Sequence, residues 1–256
     1  MKALLTSIFY QPLYNLLFWF VLILPGESLG LGIIALTILV RLLLMPLSAQ
    51  GVRAQRELQV LQPEIDKLRT EFKDQPDELN KKIFALYQEH KVNPLGSCLP
   101  LLIQLPVLIL LYRVINSGIQ ASHLELLYRF VPAPEHLSTI FLGINLAKPS
   151  ILLAIVSGLL QFVQTWQLMR RQKPAKTTEL ATTDAPKPAV DQSQKMSQMM
   201  AYLTPLLTVY IGTRFPAGLA IYWVMTTLFS IAQQWWLFRK PSIATPHVSV
   251  QIRDHK

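Results

Sequence analysis

The sequence predicts an all-α, polytopic membrane protein with five spans and a cytoplasmic antiparallel helical hairpin. Three observations predict it. Of the 256 residues, 51% are hydrophobic and only 15% are charged. Apolar runs recur whose length approaches or exceeds the roughly 20 residues needed to cross a hydrocarbon core. Lysine and arginine crowd into the segments between alternate runs, as cytoplasmic loops do. The net charge of +9 therefore marks a membrane face rather than a specific nucleic-acid site. The single cysteine, Cys98, excludes an intrachain disulfide and is expected to pack as a small apolar side chain.

The N-terminal stretch, residues 1–28, holds a short apolar segment from Gln11 to Leu24 with Pro12 at its start and Pro25-Gly26 at its end. It reads as an extracytoplasmic helix lying along the membrane surface, with a sixth span as the alternative. No small-residue cleavage site follows it, so no removable signal peptide is expected. Span 1 covers 29–47. Residues 48–94 are too polar for lipid. There Leu58, Leu61, Ile65, Leu68 and Phe72, then Leu79, Ile83, Leu86 and His90, recur at steps of three and four. Lys73-Asp74-Gln75-Pro76 separates the two sets and breaks a helix. Two amphipathic helices pairing through those seams follow, with Pro63 expected to kink or restart the first. The hairpin is either a solvated structural element or a docking arm for a cytoplasmic partner.

Span 2 covers 95–115, and residues 116–149 form an extracytoplasmic loop fragmented by Pro132, Pro134 and Pro149. Span 3 covers 150–169. Residues 170–195, rich in Pro, Thr, Ala and charge, read as a flexible cytoplasmic linker. Spans 4 and 5 cover 196–212 and 217–238, and 239–256 form a short cytoplasmic tail. Eighteen of the 24 Lys and Arg fall on the side of the hairpin, linker and tail. That side is cytoplasmic, which puts the N-terminus outside and the C-terminus inside.

Each span carries one polar stripe. Thr37 and Arg41 share a face, as do Ser97 and Gln104, then Ser157, Gln161 and Gln164, then Thr204 and Thr208. In the last span Tyr222, Thr226, Ser230 and Gln233 align, with Trp223 and Thr227 beside them. Ordinary interhelical hydrogen bonding accounts for such stripes at about 0.6–2 kcal/mol per contact. The alternative is convergence on a hydrated cavity. Arg41 favours the second reading. A central arginine costs at least about 2.5–3.5 kcal/mol to insert, and none of the five spans contains an Asp or Glu to pair with it. A wet groove would supply the water and polar groups that the cation needs. Snorkelling toward Ser48 is the competing explanation, since seven residues of helix cover only roughly 10 Å. Arg113, near the outer end of its span, is expected to snorkel.

No HExxH, GxSxG, phosphate loop or His/Cys/Asp cluster with metal spacing occurs. The reading is a protein without enzymatic chemistry, cofactor or metal. All five histidines lie in loops or at helix ends, so the intramembrane carboxylate or His expected of a proton-coupled transporter is missing.

Three stretches, GLGIIALTILVRLLLMPLSAQ at 30–50, NPLGSCLPLLIQLPVLILLY at 93–112 and FPAGLAIYWVMTTLFSIAQQWW at 215–236, resemble the YidC-type membrane protein insertase family. LQVLQPEIDKLRTEF at 58–72 resembles that family's cytoplasmic hairpin, and MSQMMAYLTPLL at 196–207 its fourth core span. The resemblance covers roughly residues 10–240. It implies a five-span insertase core around a hydrophilic groove closed to the outside and open to cytoplasm and lipid. Arg41 falls on the family's groove arginine, Thr37 on a position one turn earlier that matters in family members, and Trp223 on an aromatic position that contacts substrate. Gln104 and Gln161 are carried over as further groove residues. The family's hairpin is mobile and assists activity, which favours a functional role at 50–92.

The implied partners are nascent membrane proteins, the lipid bilayer, the Sec translocon and the ribosome, and the implied location is a bacterial inner membrane. The sequence departs from long relatives in lacking a large extracytoplasmic domain, and from others in lacking a lipid-modified N-terminal cysteine. Its short, moderately basic tail argues against strong autonomous ribosome binding. A small-solute channel or transporter is the alternative function, since the same stripes could line a pore.

Overall fold

A computed structural model of the chain describes residues 6–73, 75–93, 99–120, 122–134, 136–169 and 190–239. A π-helical turn, Thr6–Tyr10, runs directly into α1, Gln11–Ile23. Then come α2, Leu29–Leu43, α3, Met45–Glu71, and α4, Pro76–Glu89. After α5, Leu99–Ile119, a loop carries a 3-10 turn at Leu124–Leu126 and a two-stranded hairpin, β1 (Ile140–Phe141) and β2 (Ile144–Asn145). Three helices complete the chain: α6, Ile151–Met169, α7, Val190–Gly212, and α8, Ala217–Arg239.

Helix α2 starts where Ser28 accepts a hydrogen bond from the Leu31 amide, an N-cap. Its buried face is Leu29, Ile33, Leu36 and Val40, at steps of three and four. The expected span 29–47 does not run straight. It stops at Leu43, and the chain bends by 64° into α3. Pro46 explains the bend: it has no amide hydrogen to offer the Leu42 carbonyl, and its ring would collide with that carbonyl in a continuous helix. At 15 residues, α2 covers about 22 Å, short of the roughly 30 Å hydrocarbon core.

Among the described residues, the stretch Thr6–Ile23 is long and apolar enough to cross a membrane, and α2 with the start of α3 passes only as a bent pair. Pro106–Ile119, Ile151–Gln167 and Tyr202–Gly212 are shorter apolar helical stretches.

The main core joins Tyr14, Leu17, Phe18 and Val21 of α1 to the α2 face, to Leu111, Val114 and Ile115 of α5, and to Ala217, Leu219, Ile221 and Tyr222 of α8. Val131 and Leu146 of the loop close it. Most of these residues lie toward the end where α2 and α8 begin and α5 finishes, with Val40 carrying the core into the last turn of α2. The loop is built rather than irregular. Ser138 accepts from the Leu29 amide at 3.0 Å, and the carbonyls of Lys148 and Leu146 cap the first amides of α8. Phe141 lies against Gly30, where an added Cβ would come within 2.4 Å of the ring. Asn15, 3% exposed, accepts from the Tyr128 amide at 2.6 Å and donates to the Leu126 carbonyl at 2.9 Å. The Tyr14 hydroxyl donates to the Ser122 carbonyl.

Helices α6 and α7 pack through small residues: an added Cβ on Gly158 would meet Val209 Cγ2 at 2.3 Å, and one on Gly212 would meet Ala154 Cβ at 2.9 Å. Ala154 and Gly158 form a small-xxx-small pair that lets two helix backbones approach closely. Helices α3 and α4 pair through Leu61, Ile65, Leu86 and Val92, flanked by Leu58, Leu68, Ile83 and Tyr87. His90 faces Glu64 at 3.7 Å, and Lys82 lies over the Phe72 ring. This descending pairing makes the two helices antiparallel.

Several expectations need adjustment. Helix α3 does not restart at Pro63 but runs through it. The final residues of the expected linker, from Val190, are already helical. Helix α5 extends to Ile119, and the two-residue strands β1 and β2 leave the described chain mostly helical, as an all-α fold requires. Ser97, Cys98, the linker from 170 to 189 and the tail from 240 lie outside the described residues.

Candidate polar site between three helices

The last turn of α2 carries Arg41, beside the core residue Val40. There the Arg41 Nη2 donates to Gln104 Oε1 of α5 at 3.0 Å. The amide nitrogen of Gln104 donates in turn to the Tyr222 hydroxyl of α8 at 2.5 Å. Tyr222 is buried, so the chain of bonds runs from a half-buried cation into the packed interior. Among the described residues no carboxylate lies within 4.0 Å of the guanidinium. A guanidinium has five N–H donors and no acceptor. A neutral amide satisfies one of them and leaves the charge uncompensated. The site can therefore take an anionic or carbonyl oxygen without displacing an ion-pair partner.

The other expected site residues stand differently. Thr37 is buried one turn from Arg41, and its hydroxyl donates to the Ile33 carbonyl at 2.6 Å. Its donor is spent on its own helix. Ser157, Thr165, Thr208, Thr227 and Ser230 likewise donate to the carbonyl four residues back. Most stripe hydroxyls are thus back-bonded, and of the stripe residues the structure joins Arg41, Gln104 and Tyr222 to one another. Gln161 is half-buried on α6, and its backbone carbonyl accepts from Thr165. No hydrogen bond joins it to Arg41 among the described residues. Trp223 packs against the main apolar core.

A second polar contact lies below Arg41. Gln233 of α8 is buried, and its amide donates to Ser48 Oγ at 2.9 Å and to the Met45 carbonyl at 3.2 Å. Val52 and Leu237 pack together beside it. The last helix thereby fixes the bend at which α3 leaves α2. Alignment alone put Gln233 on the right stripe, but its partner became visible only with the bend. Asn15 was missed altogether because it sits in an apolar run, although a lone amide there is itself a signal of a buried hydrogen-bonding partner.

Between α6 and α8 lies a cleft of about 710 Å³, lined by Val163, Trp166, Gln167, Leu228, Ile231 and Trp235, with Ala232. Its lining is mostly apolar. Among the described residues no three His, Cys, Asp or Glu side chains converge as a metal site.

A sequence profile described as the 60Kd inner membrane protein family matches residues 20–243. The chain belongs to this family. Among its relatives is a membrane protein insertase YidC of Fusobacterium nucleatum, 33% identical over 236 residues, which covers 89% of this chain and 98% of that protein. The membrane protein insertase MisCA of Bacillus subtilis is 34% identical over 224 residues, 86% of this chain and 74% of its own length. A YidC of Lawsonia intracellularis is 33% identical over 211 residues, 82% of this chain but 35% of the relative. The chain thus spans nearly all or most of some family members and about a third of others.

Proposed function

We propose that this 60Kd inner membrane protein family member is a membrane protein insertase. In this reading it receives a nascent hydrophobic segment beside Arg41 and releases it into the bilayer of a bacterial inner membrane. The observation that carries the reading is the Arg41–Gln104–Tyr222 chain, a cation held by a neutral amide with no acid beside it among the described residues. The insertase names of the relatives support it.

A polar tail crossing hydrocarbon needs a shorter apolar path and a transient partner. A carboxylate about 4 Å from a cation gains roughly 4 kcal/mol where the effective dielectric is about 20, against roughly 1 kcal/mol in water. Arg41 can therefore hold an acidic or polar tail residue more strongly inside the site than water does outside. The apolar segment then leaves sideways into lipid, at about 25 cal/mol per Å² of apolar surface removed from water. The mostly apolar cleft between α6 and α8 offers a surface along which it can slide. Gln104 orients the guanidinium, and Thr37 packs the turn that carries it. Gln161 and Trp223 flank the path from α6 and α8. No covalent step or cofactor enters.

The topology that fits is five spans, on α2 continued by the start of α3, α5, α6, α7 and α8, with the α3–α4 hairpin in the cytoplasm. Leu17 of α1 meets Gly32 and Gly118 near the ends of α2 and α5, not their middles, which supports a helix lying across the outer surface. The hairpin would receive the chain at the cytoplasmic mouth, with the Sec translocon and ribosome as candidate partners.

Reconstitution tests this. Protease protection of the translocated tail of a small single-span protein, in liposomes with and without this chain, should depend on the chain. Solute flux through the same liposomes without tail protection would favour a channel instead.

A further inference from the structure

The loop hairpin places the wrong residue at its tip for a turn in water. Phe141 pairs with Ile144, so Leu142 and Gly143 form a two-residue connection. Their φ angles are +50° and +77°, the pattern of a type I′ turn, in which both central residues need positive φ and Asn-Gly or Asp-Gly is favoured. Gly143 suits its place. A leucine at positive φ is disfavoured by its side chain. Leu142 is also 84% exposed, and Ile140 on the outer side of the same strand is 61% exposed. Among the described residues, little packs around Leu142 to offset the strain.

The hairpin is meanwhile held firmly. Its inner residue Phe141 sits on Gly30, and Ser138 bonds both the Leu29 amide and the Glu27 carbonyl. Its tip is therefore fixed beside the first turn of α2, the level at which that helix enters the membrane. Exposed Ile151 and Leu152 open α6 a few residues further along the chain.

We propose that Leu142 and Ile140 insert into the adjacent lipid leaflet as a small apolar wedge that anchors the loop closing the bundle. Lipid is the occupant because two side chains present far less than the roughly 1,000 Å² that a specific protein interface needs, whereas in a chain already held in the membrane each apolar side chain moved from water into the acyl boundary is favourable on its own. The proposal rests on the topology above for α2 being a span and for naming this the outer leaflet.

The test replaces Cys98 by Ser and adds Leu142→Cys, Ile140→Cys or Ala133→Cys singly, each spin-labelled in full-length protein in phosphatidylethanolamine–phosphatidylglycerol vesicles. Ala133 is exposed in the same loop and serves as the aqueous reference. Labels at 142 and 140 should collide more with oxygen and less with a nickel chelate than the label at 133. Nickel accessibility at both tip positions equal to that at 133 overturns the proposal and makes the tip a water-exposed element for a protein contact. An impermeant maleimide applied to spheroplasts that express the Ala133→Cys variant reports separately on which side residue 133 lies. Labelling only after lysis of the spheroplasts would reject the topology while leaving the depth comparison intact.

Discussion

Arg41 and Gln104 lie 63 positions apart in sequence, yet their side chains are hydrogen-bonded at 3.0 Å, with no acid beside the cation among the described residues. An insertion site needs a charge that is held in place but not neutralised. The amide of Gln104 provides that, because its oxygen accepts from Arg41 while its nitrogen is spent on Tyr222. Changing that amide to an acid changes the electrostatics with little change of shape. Gln104→Glu should give Arg41 a permanent ion-pair partner. Insertion of acidic-tailed substrates should fall by about tenfold, equivalent to 1.4 kcal/mol, while the thermal transition in detergent stays or rises. Parallel insertion and melting measurements check this, and unchanged insertion would show that a free charge is not required.

The clamp at the bend makes a different prediction. Gln233→Leu removes the bonds to Ser48 and to the Met45 carbonyl. The α3–α4 hairpin should then sample a wider range of angles to the bundle. Spin-label distance distributions between α4 and α8 should broaden, whereas Ser230→Ala, which removes only a bond to its own helix, should leave them narrow.

Asn15 should matter more than its place in an apolar run suggests. Asn15→Ala leaves the Tyr128 amide without its partner, whereas the Leu126 carbonyl keeps the Gln11 bond at 3.1 Å. A buried donor left unsatisfied costs about 1–3 kcal/mol. The loss should appear in denaturant titration and as faster hydrogen exchange confined to residues 122–131.

At the α6–α7 seam, Gly158→Val forces side-chain atoms onto Val209 and toward the Pro205 carbonyl, 3.2 Å from the added Cβ. Overpacking of this kind costs about 1–3 kcal/mol. Gly158→Ala should cost less, and pairing Gly158→Val with Val209→Ala should recover most of the loss in a thermal-stability assay.

The sequence made some of this legible and hid the rest for physical reasons. Arg41 stands out because a charge in an apolar run is costly, and Gln104 because a long amide there needs a partner. The hairpin seam follows from its three-and-four spacing, which the Leu61, Ile65 and Leu86 contacts reproduce. The bend at Leu44 is hidden because hydropathy continues across Pro46, so an apolar-run reading passes straight over it. The hydroxyl stripes mislead for another reason: a threonine facing a cavity and one bonded to its own helix have the same spacing. Only the Thr37–Ile33 bond of 2.6 Å separates them. The β1–β2 turn is obscured because Leu142 occupies a place where Asn would have signalled it.

The central claim is that the charge at Arg41 draws polar tails into the membrane. The most direct measurement compares wild type, Arg41→Lys and Arg41→Ala in proteoliposomes, using one single-span substrate with an acidic or a neutral tail and protease protection as readout. The account predicts that Lys keeps much of the activity, and that Ala fails far more for the acidic than for the neutral tail. Equal insertion of the acidic tail by Ala and wild type would contradict it.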